Sequence, residues 1–217
     1  MLIERVWEQT QKCKHLDETI IATDDERIQE AALHFGAQVV MTSSDHLTGT
    51  DRIAQAIEAH SKATHIINIQ GDEPLIDPHL IDELAQALIQ NPEVSMATAA
   101  NCFDDPDLLN DPNVVKVVLD KNFNALYFSR SPLPFQRDLN APVELYRHKG
   151  IYAYRRDFLE KFVTYPPSAL ELAESLEQLR ALENGAKIRV IITEDTSGGI
   201  DTLQQAQELQ NLIQSSH

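Results

Sequence analysis

The stretch Thr64-His-Ile-Ile-Asn-Ile-Gln-Gly-Asp-Glu-Pro74 determines how the rest of the chain is interpreted. Its β-branched apolar run predicts a short strand buried on both faces, and this run ends at Gly71 and Asp72. Pro74 prevents the residues before it from continuing as helix, and Asp77-Pro78 predicts the start of the next helix. Asp72 is therefore expected at the carboxyl end of a parallel strand, where open α/β sheets bind ligands.

A carboxylate at this position has two interpretations. Asp72 beside Gly71 suits a hard divalent cation that is held against phosphate groups. In the alternative, the segment is an ordinary strand-to-helix turn in which Asp72 or Glu73 only caps the helix. This stretch alone leaves both open.

Strands and helices are predicted to alternate on both sides of this stretch. Strands are predicted at 19–23, 38–41, 66–69 and 94–99, and helices at 2–12, 24–35, 51–60 and 78–90. Such alternation with short connections is typical of an α/β fold with a doubly wound, mostly parallel sheet.

After Asn101 the pattern changes. Residues 113–119 and 124–128 predict a β-hairpin around Lys121-Asn122, and residues 147–154 predict a strand that returns to the same sheet. Further elements are predicted as helices at 155–163, 169–184 and 202–213 and a strand at 187–192. We expect a single domain over residues 1–217, with a small β-rich lobe at about 102–145.

Composition excludes several classes of protein. Hydrophobic residues make up 42% of the chain and charged residues 24%, which is globular composition. The net charge of −16 argues against nucleic acid and anionic membranes as partners. No apolar run approaches the roughly 20 residues that span a bilayer. Two cysteines are too few for a disulfide framework, so we expect a cytoplasmic protein.

Polar residues recur at predicted strand–helix junctions. Thr50 or Asp51 can cap the helix that follows residues 38–41, and Arg52 in its first turn indicates either an anionic or hydrogen-bonding ligand or a surface salt bridge. Asp201, in Gly199-Ile-Asp-Thr202, places a second carboxylate at a late junction, where a simple helix cap is the alternative.

Three further groups could contact a substrate. Arg130 ends a strand beside prolines, which suits recognition of a substrate carboxylate. His148, Gly150, Tyr152 and Tyr154 share one strand face, which could equally be solvated. Glu171, Glu174 and Gln178 fall on one side of the helix at 169–184, with Glu177 beside that side; solvated glutamates are the alternative there.

Seven segments, taken together, carry a family resemblance. They are Gly49-Thr-Asp-Arg52, Gln70-Gly-Asp-Glu-Pro74, Asn113-Val-Val-Lys116, Tyr127-Phe-Ser-Arg130, His148-Lys-Gly-Ile-Tyr152, Leu176-Glu-Gln-Leu-Arg180 and Gly199-Ile-Asp-Thr202. In this order they resemble the 3-deoxy-manno-octulosonate cytidylyltransferases, also called CMP-Kdo synthetases, over nearly the whole chain.

The resemblance implies a Rossmann-like fold of nucleotidyltransferase type and a homodimer. It also implies a Mg²⁺-dependent reaction for lipopolysaccharide biosynthesis, in which CTP and the sugar acid Kdo give CMP-Kdo and pyrophosphate. Asp72 and Asp201 would hold Mg²⁺ and act in catalysis. The nucleotide would be bound by Gly49, Thr50, Arg52 and Gly71. The sugar acid would be bound by Gln70, Arg130, His148, Tyr152, Glu171 and Glu174, with Arg130 on its carboxylate.

One departure from the family and two rival functions remain. The family begins with a buried strand and an L-x-x-x-R-x-P-G-K loop, whereas Met1-Leu-Ile3 aligns just past that loop. We therefore expect weakened triphosphate binding and a less stable sheet, from either a truncation or a real loss. The rival functions are activation of another sugar acid, such as sialate, and a non-catalytic remnant that binds CMP or sugar acid.

Overall fold

This computed structural model describes residues 1–103, 106–138, 140, 143–200, 202, 204–205 and 207. Strands and helices alternate as far as Cys102; three strands, three helices and a last strand then follow. The strands are β1 Ile20–Thr23, β2 Gln38–Met41, β3 His65–Asn68, β4 Met96–Cys102, β5 Lys116–Leu119, β6 Ala125–Ser129, β7 Tyr146–Arg155 and β8 Ile188–Ile192. The helices are α1 Leu2–Thr10, α2 Glu26–His34, α3 Gly49–Ala56, α4 Pro78–Gln90, α5 Arg156–Phe162, α6 Ala169–Glu174 and α7 Gln178–Glu183. Most of the predicted helix at 202–213 lies outside the described residues.

Six strands form the main sheet. The order is β6-β5-β7-β4-β8, and β3 pairs with β7 beyond the end of β5. β3, β4, β5 and β8 run in one direction, while β6 and β7 run in the other. The predicted α/β class is confirmed, and β7 is the predicted returning strand. Because β7 inserts between β3 and β4, most ladders in this sheet are antiparallel although most of its strands point the same way.

β1 and β2 form a separate parallel pair. Among the described residues, no ladder joins this pair to the main sheet, so β1 and β3 each have one edge without a strand partner. α3 packs against both β1 and β3 and thereby connects the two sheets. An unpaired edge leaves backbone N–H and C=O groups without ladder hydrogen bonds. The predicted effect of the family's opening strand on stability is untested and stays a prediction.

Two apolar clusters cover the two faces of the main sheet. On one face, α4 packs Leu80, Leu84 and Leu88 against Ala97 of β4 and further sheet residues. The cluster on the other face holds Ile66 of β3, together with residues of α5 and α7. Since the two faces of β3 contact different clusters, the strand is covered on both sides, as its apolar run predicts.

The strand register brings several polar segments to one edge of the sheet. Ala100 lies opposite His148, and Lys116 lies opposite both Arg147 and Ser129. The end of β3 reaches this edge as well, because Asn68 pairs with Tyr152, the residue that also pairs with Thr98. The candidate site lies along this edge. No helix in the described part of the chain is long and apolar enough to cross a membrane.

Candidate active site

Asp72 lies just beyond the end of β3, and its side chain is half-buried. Within the described residues, no group donates a hydrogen bond to its carboxylate. Asp77, not Asp72, caps α4, since its carboxylate accepts a hydrogen bond from the His79 N–H at 2.9 Å. Glu73 is buried, and this burial raises its pKa. The capping alternative therefore does not apply to Asp72, whose carboxylate has no hydrogen-bond donor among the described residues.

The segment 193–200, which follows β8, runs directly past Asp72. The Ile200 N–H donates a hydrogen bond to the Asp72 carbonyl oxygen at 2.8 Å. A Cβ atom at Gly199 would lie 3.1 Å from Asp72 Oδ2, so only a glycine lets the backbone approach this carboxylate without displacing it. Asp201 follows in the sequence but lies outside the described residues. The structure thus places the segment leading to the second predicted carboxylate against the first.

The start of α3 differs from the prediction. Neither Thr50 nor Asp51 is the N-cap; Thr48 has this role, because its Oγ1 accepts a hydrogen bond from the Asp51 N–H at 3.1 Å. Gly49 lies close to β3, since a Cβ there would be 3.8 Å from Asn68 Nδ2. Thr50 is buried, and its hydroxyl donates to Glu177 Oε2 at 2.5 Å. The start of α3 is therefore fixed to α7, which begins next to Glu177.

Arg52 makes contacts within the protein. Its Nη1 donates to Thr42 Oγ1 at 2.6 Å and pairs with Asp24 Oδ1 at 3.2 Å. Of the two interpretations that the sequence left open, the structure shows the salt bridge. The pair joins α3 to the loops that follow β1 and β2. Contact of Arg52 with a nucleotide remains a prediction.

The predicted single helix at 169–184 is wrong, because the chain forms two short helices. α6 ends at Glu174, and Ser175 has the left-handed conformation with φ 52° and ψ 50°. α7 then begins at Gln178. The break changes the direction of the helix, so helical spacing across it does not determine which side chains share a face.

Arg130 binds the end of α6. Its Nε donates to the Glu174 carbonyl at 2.7 Å, Nη1 to the Pro112 carbonyl at 2.9 Å and Nη2 to the Ser175 carbonyl at 3.4 Å. A guanidinium has five N–H donors, so these bonds leave one N–H on each Nη.

The Glu174 carboxylate accepts from Ser129 Oγ at 2.6 Å and from the Arg130 backbone N–H at 2.9 Å. Burial acts to raise the pKa of Glu174, but these hydrogen bonds hold it below its usual value. Arg130 and Glu174, which the resemblance assigns to the sugar acid, therefore also hold the end of α6 against the end of β6.

Glu171 and Glu177 surround the buried Arg180. Glu171 Oε2 accepts the Ser168 N–H at 3.0 Å in a capping box and lies 3.5 Å from Arg180 Nε. Glu177 Oε1 accepts from Arg180 Nη2 at 2.7 Å. Burial raises the pKa of Glu177, and its hydrogen bond with Thr50 and the charge of Arg180 oppose this shift. Gln178 is 3% exposed, and its Nε2 has no hydrogen-bond partner among the described residues.

His148 and Tyr152 lie on one face of β7, as predicted, with ring centroids 5.5 Å apart. Thr98 Oγ1 lies 2.7 Å from the Ile151 carbonyl and 2.9 Å from His148 Nε2. Its single proton is donated to the carbonyl, so Oγ1 accepts from an Nε2–H group and Nδ1 carries the lone pair. Burial lowers the pKa of His148 to about 3, which keeps the ring neutral. His148 is thus prepared to accept a hydrogen bond through Nδ1.

The structure brings the predicted residues together only in part. Gln70 and Gly71 join β3 to Asp72, and a Cβ at Gly71 would lie 3.1 Å from Ile3 Cδ1, so this glycine also permits the packing of α1. Glu177 and Gln178 are absent from the site residues that the resemblance implies, although both lie in a segment that carries it. That segment was the signal that could have identified them.

Comparisons with known proteins agree with this arrangement. The sequence profile of a family described as cytidylyltransferase matches residues 1–188. A 3-deoxy-manno-octulosonate cytidylyltransferase from Solibacter usitatus is 49% identical over 99% of this chain and 85% of its own length. One from Geobacter sulfurreducens is 49% identical over 93% of this chain and 84% of its own length.

A solved structure gives the same result. It is a CMP:2-keto-3-deoxy-manno-octonic acid synthetase in complex with CTP, with a TM-score of 0.94 and 36% identity over 100% of this chain and 88% of that one. The sequence profile, the two relatives and the solved structure each match this chain over nearly its whole length, and the polar edge of the sheet agrees with them. The chain therefore belongs to the cytidylyltransferase family, and within it to the 3-deoxy-manno-octulosonate cytidylyltransferases.

Proposed function

We propose that this chain transfers CMP from CTP to a hydroxyl of 3-deoxy-manno-octulosonate, giving CMP-Kdo and pyrophosphate for lipopolysaccharide biosynthesis. The observation that carries the proposal is the contact between Asp72 and the segment 193–200, which come from distant parts of the sequence. Nucleotidyl transfer depends mostly on positioning and on neutralisation of charge around the α-phosphate. A half-buried carboxylate at a sheet edge, with a second one expected beside it, suits this requirement.

Mg²⁺ is part of the proposal, and the residues present fit it. The Asp72 carboxylate receives no hydrogen bond from the described residues, and the missing Cβ of Gly199 leaves its Oδ2 uncrowded. No group of three or more potential metal-binding side chains occurs in the described part of the chain. This agrees with Mg²⁺, which takes one or two protein carboxylates and completes its shell with water and substrate phosphates. Asp72 and Asp201 would hold the ion, which would neutralise phosphate charge.

The remaining groups would orient the sugar acid. Arg130 retains one N–H on each terminal nitrogen, which can bind a carboxylate as a pair. His148 can accept a hydrogen bond from a sugar hydroxyl through Nδ1, because Thr98 fixes its Nε2–H tautomer. Since burial lowers the pKa of His148 to about 3, the ring keeps this acceptor throughout the neutral pH range.

A cytoplasmic homodimer is the remaining part of the proposal. It is supported by the family resemblance and by large apolar side chains on the surface, including Phe135, which is 89% exposed, and Leu172, which is 68% exposed. Cytoplasmic CTP is the substrate that the reaction consumes. Light scattering during size-exclusion chromatography measures the mass directly, and a monomer at micromolar concentration would contradict the dimer.

Release of pyrophosphate from CTP tests the proposed function. We expect release with Kdo and Mg²⁺, little release with sialate, and none when EDTA is added. Turnover of sialate at an equal rate would overturn the substrate assignment. Calorimetric binding of CMP and Kdo without any turnover would show a binding protein instead of an enzyme.

The variant Asp72→Asn tests the metal role of this residue. Turnover should be abolished while the melting temperature changes little, because Asp72 forms no side-chain hydrogen bond with the described residues. Asp77→Asn is a matched control, since asparagine caps helices as well as aspartate does. It should keep near-normal turnover. Mg²⁺-dependent activity in Asp72→Asn would exclude this carboxylate as a ligand.

A further inference from the structure

The segment 193–200 lacks regular secondary structure, so side chains must fix its path past Asp72. The Thr193 N–H donates to the Ala100 carbonyl at 2.9 Å and thereby extends the β4–β8 ladder by one residue. At the other end, the Ile200 N–H donates a hydrogen bond to the Asp72 carbonyl. Between these two points the backbone makes no further ladder with the sheet.

Lys149 supplies the main contact in this interval. It is buried in β7, and its Nζ lies 2.5 Å from the Ser197 carbonyl, 3.3 Å from Ser197 Oγ, and 3.2 Å from both the carbonyl and Oδ2 of Asp195. One ammonium thus binds two residues of the segment through backbone and side chain. Because successive side chains of a strand alternate between its two faces, Lys149 lies on the face opposite His148 and Tyr152.

Asp195 completes the arrangement. Its Oδ1 accepts the Ser197 N–H at 2.8 Å, while its own N–H donates to Thr193 Oγ1 at 3.1 Å. Its carbonyl also accepts from Asn101 Nδ2 at 3.3 Å. The Lys149 and Asp195 side chains are only 5% and 8% exposed, so water does not replace these bonds easily.

We propose that Lys149 and Asp195 are positioning residues for the transfer reaction, and that they hold segment 193–200 against Asp72, the carboxylate of the proposed metal site. This inference rests on the proposed function, because it concerns the geometry of the proposed metal site. Neither side chain would contact Mg²⁺ or substrate. Outer-sphere groups of this kind orient metal ligands and determine the affinity of the site.

The alternative is that the buried ion pair contributes only to folding. Such a pair could often be replaced by apolar groups without loss of stability, so burial alone does not show a role in stability. The two possibilities differ in one respect. A positioning role changes the Mg²⁺ requirement of the folded enzyme, whereas a purely structural role changes only the melting temperature.

The test uses Lys149→Met and Asp195→Asn in the full chain. We expect the Mg²⁺ concentration for half-maximal turnover to rise roughly 10- to 100-fold, as is typical when outer-sphere partners of metal ligands are removed. The KM for the sugar acid should change much less. Lys187→Met, which removes an exposed lysine next to the opposite end of β8, is the matched control and should keep the Mg²⁺ requirement of the original chain.

A second readout does not depend on turnover. Binding of Mn²⁺ in the presence of CTP, followed by electron paramagnetic resonance, should weaken by a similar factor in both variants. If Lys149→Met fails to fold, Asp195→Asn provides the test, because asparagine can still accept the Ser197 N–H. An unchanged Mn²⁺ affinity in a folded variant overturns the inference, even where the melting temperature falls. Inactivity of the original chain would overturn the proposed function, while the Mn²⁺ measurement would still decide the positioning role.

Discussion

Arg130 allows the substrate assignment to be tested with a closely matched control. Replacement of Arg130 by alanine removes the two terminal N–H groups that remain after the guanidinium has bound three backbone carbonyls. A paired contact between arginine and carboxylate in a partly dry site contributes on the order of 2–4 kcal/mol. The affinity for the sugar acid should therefore fall roughly 30- to 1000-fold, with a much smaller effect on CTP.

The same substitution also removes structural bonds, and their effect must be separated from binding. Each of the three hydrogen bonds contributes about 0.5–1.5 kcal/mol. Because two of them lie at the surface, where water can replace the guanidinium, we expect a total loss of about 1–2 kcal/mol in the free energy of unfolding. Glu174 should stay in place, since Ser129 and a backbone N–H still bind its carboxylate.

Arg156→Ala is the control for this structural loss. Arg156 also binds three backbone carbonyls, those of His60, Ala63 and Ile57, but it lies at the opposite end of β7. Both variants should lose similar stability in chemical denaturation, and only Arg130→Ala should lose affinity for Kdo in calorimetry. Equal Kdo affinity in the two variants, or loss of CTP binding in Arg130→Ala alone, would refute the assignment.

Two further predictions concern single side chains. Gly199→Ala should reduce turnover about tenfold, because the new Cβ would lie 3.1 Å from Asp72 Oδ2 and displace the carboxylate. Gly198→Ala, whose Cβ would meet no atom within 4 Å, should have near-normal turnover, and equal kinetics in the two variants would contradict the reasoning. Burial lowers the pKa of His148 from 6.5 to about 3. As the pH falls below 6.5, this imidazole is therefore protonated in the unfolded chain while it stays neutral in the folded one. The free energy of unfolding should therefore decrease by about 1–2 kcal/mol between pH 7 and pH 5. His148→Gln should lack this component when urea unfolding is measured at both pH values, and identical pH dependence would disprove it.

Local signals explain why the position of Asp72 could be predicted. The apolar run, Gly71 and Pro74 act within a few residues, so they determine where β3 ends without help from the rest of the chain. The N-cap at Asp77 is similarly local. The antiparallel insertion of β7 is different, because strand order depends on contacts between distant segments that apolar periodicity does not encode.

The break between α6 and α7 shows the same limit. Leu170, Ala173, Leu176 and Leu179 recur at helical spacing, and the sequence contains no glycine or proline between them. The left-handed Ser175 is held from outside the helix, since Arg130 binds the carbonyls on both sides of the turn, at Glu174 and Ser175. A tertiary contact therefore overrides local helix propensity here.

The distribution of buried cations links the acidic composition to the proposed mechanism. Lys116 Nζ donates to three backbone carbonyls, which requires the ammonium form, although burial lowers its pKa. Lys149 binds segment 193–200, and Arg180 pairs with two glutamates. These three buried cations are thus occupied by the protein itself, in a chain whose net charge is −16. None of these three cations is therefore free to neutralise a triphosphate at the sheet edge, and the Asp72 carboxylate, which none of them contacts, is the group through which Mg²⁺ could supply positive charge there.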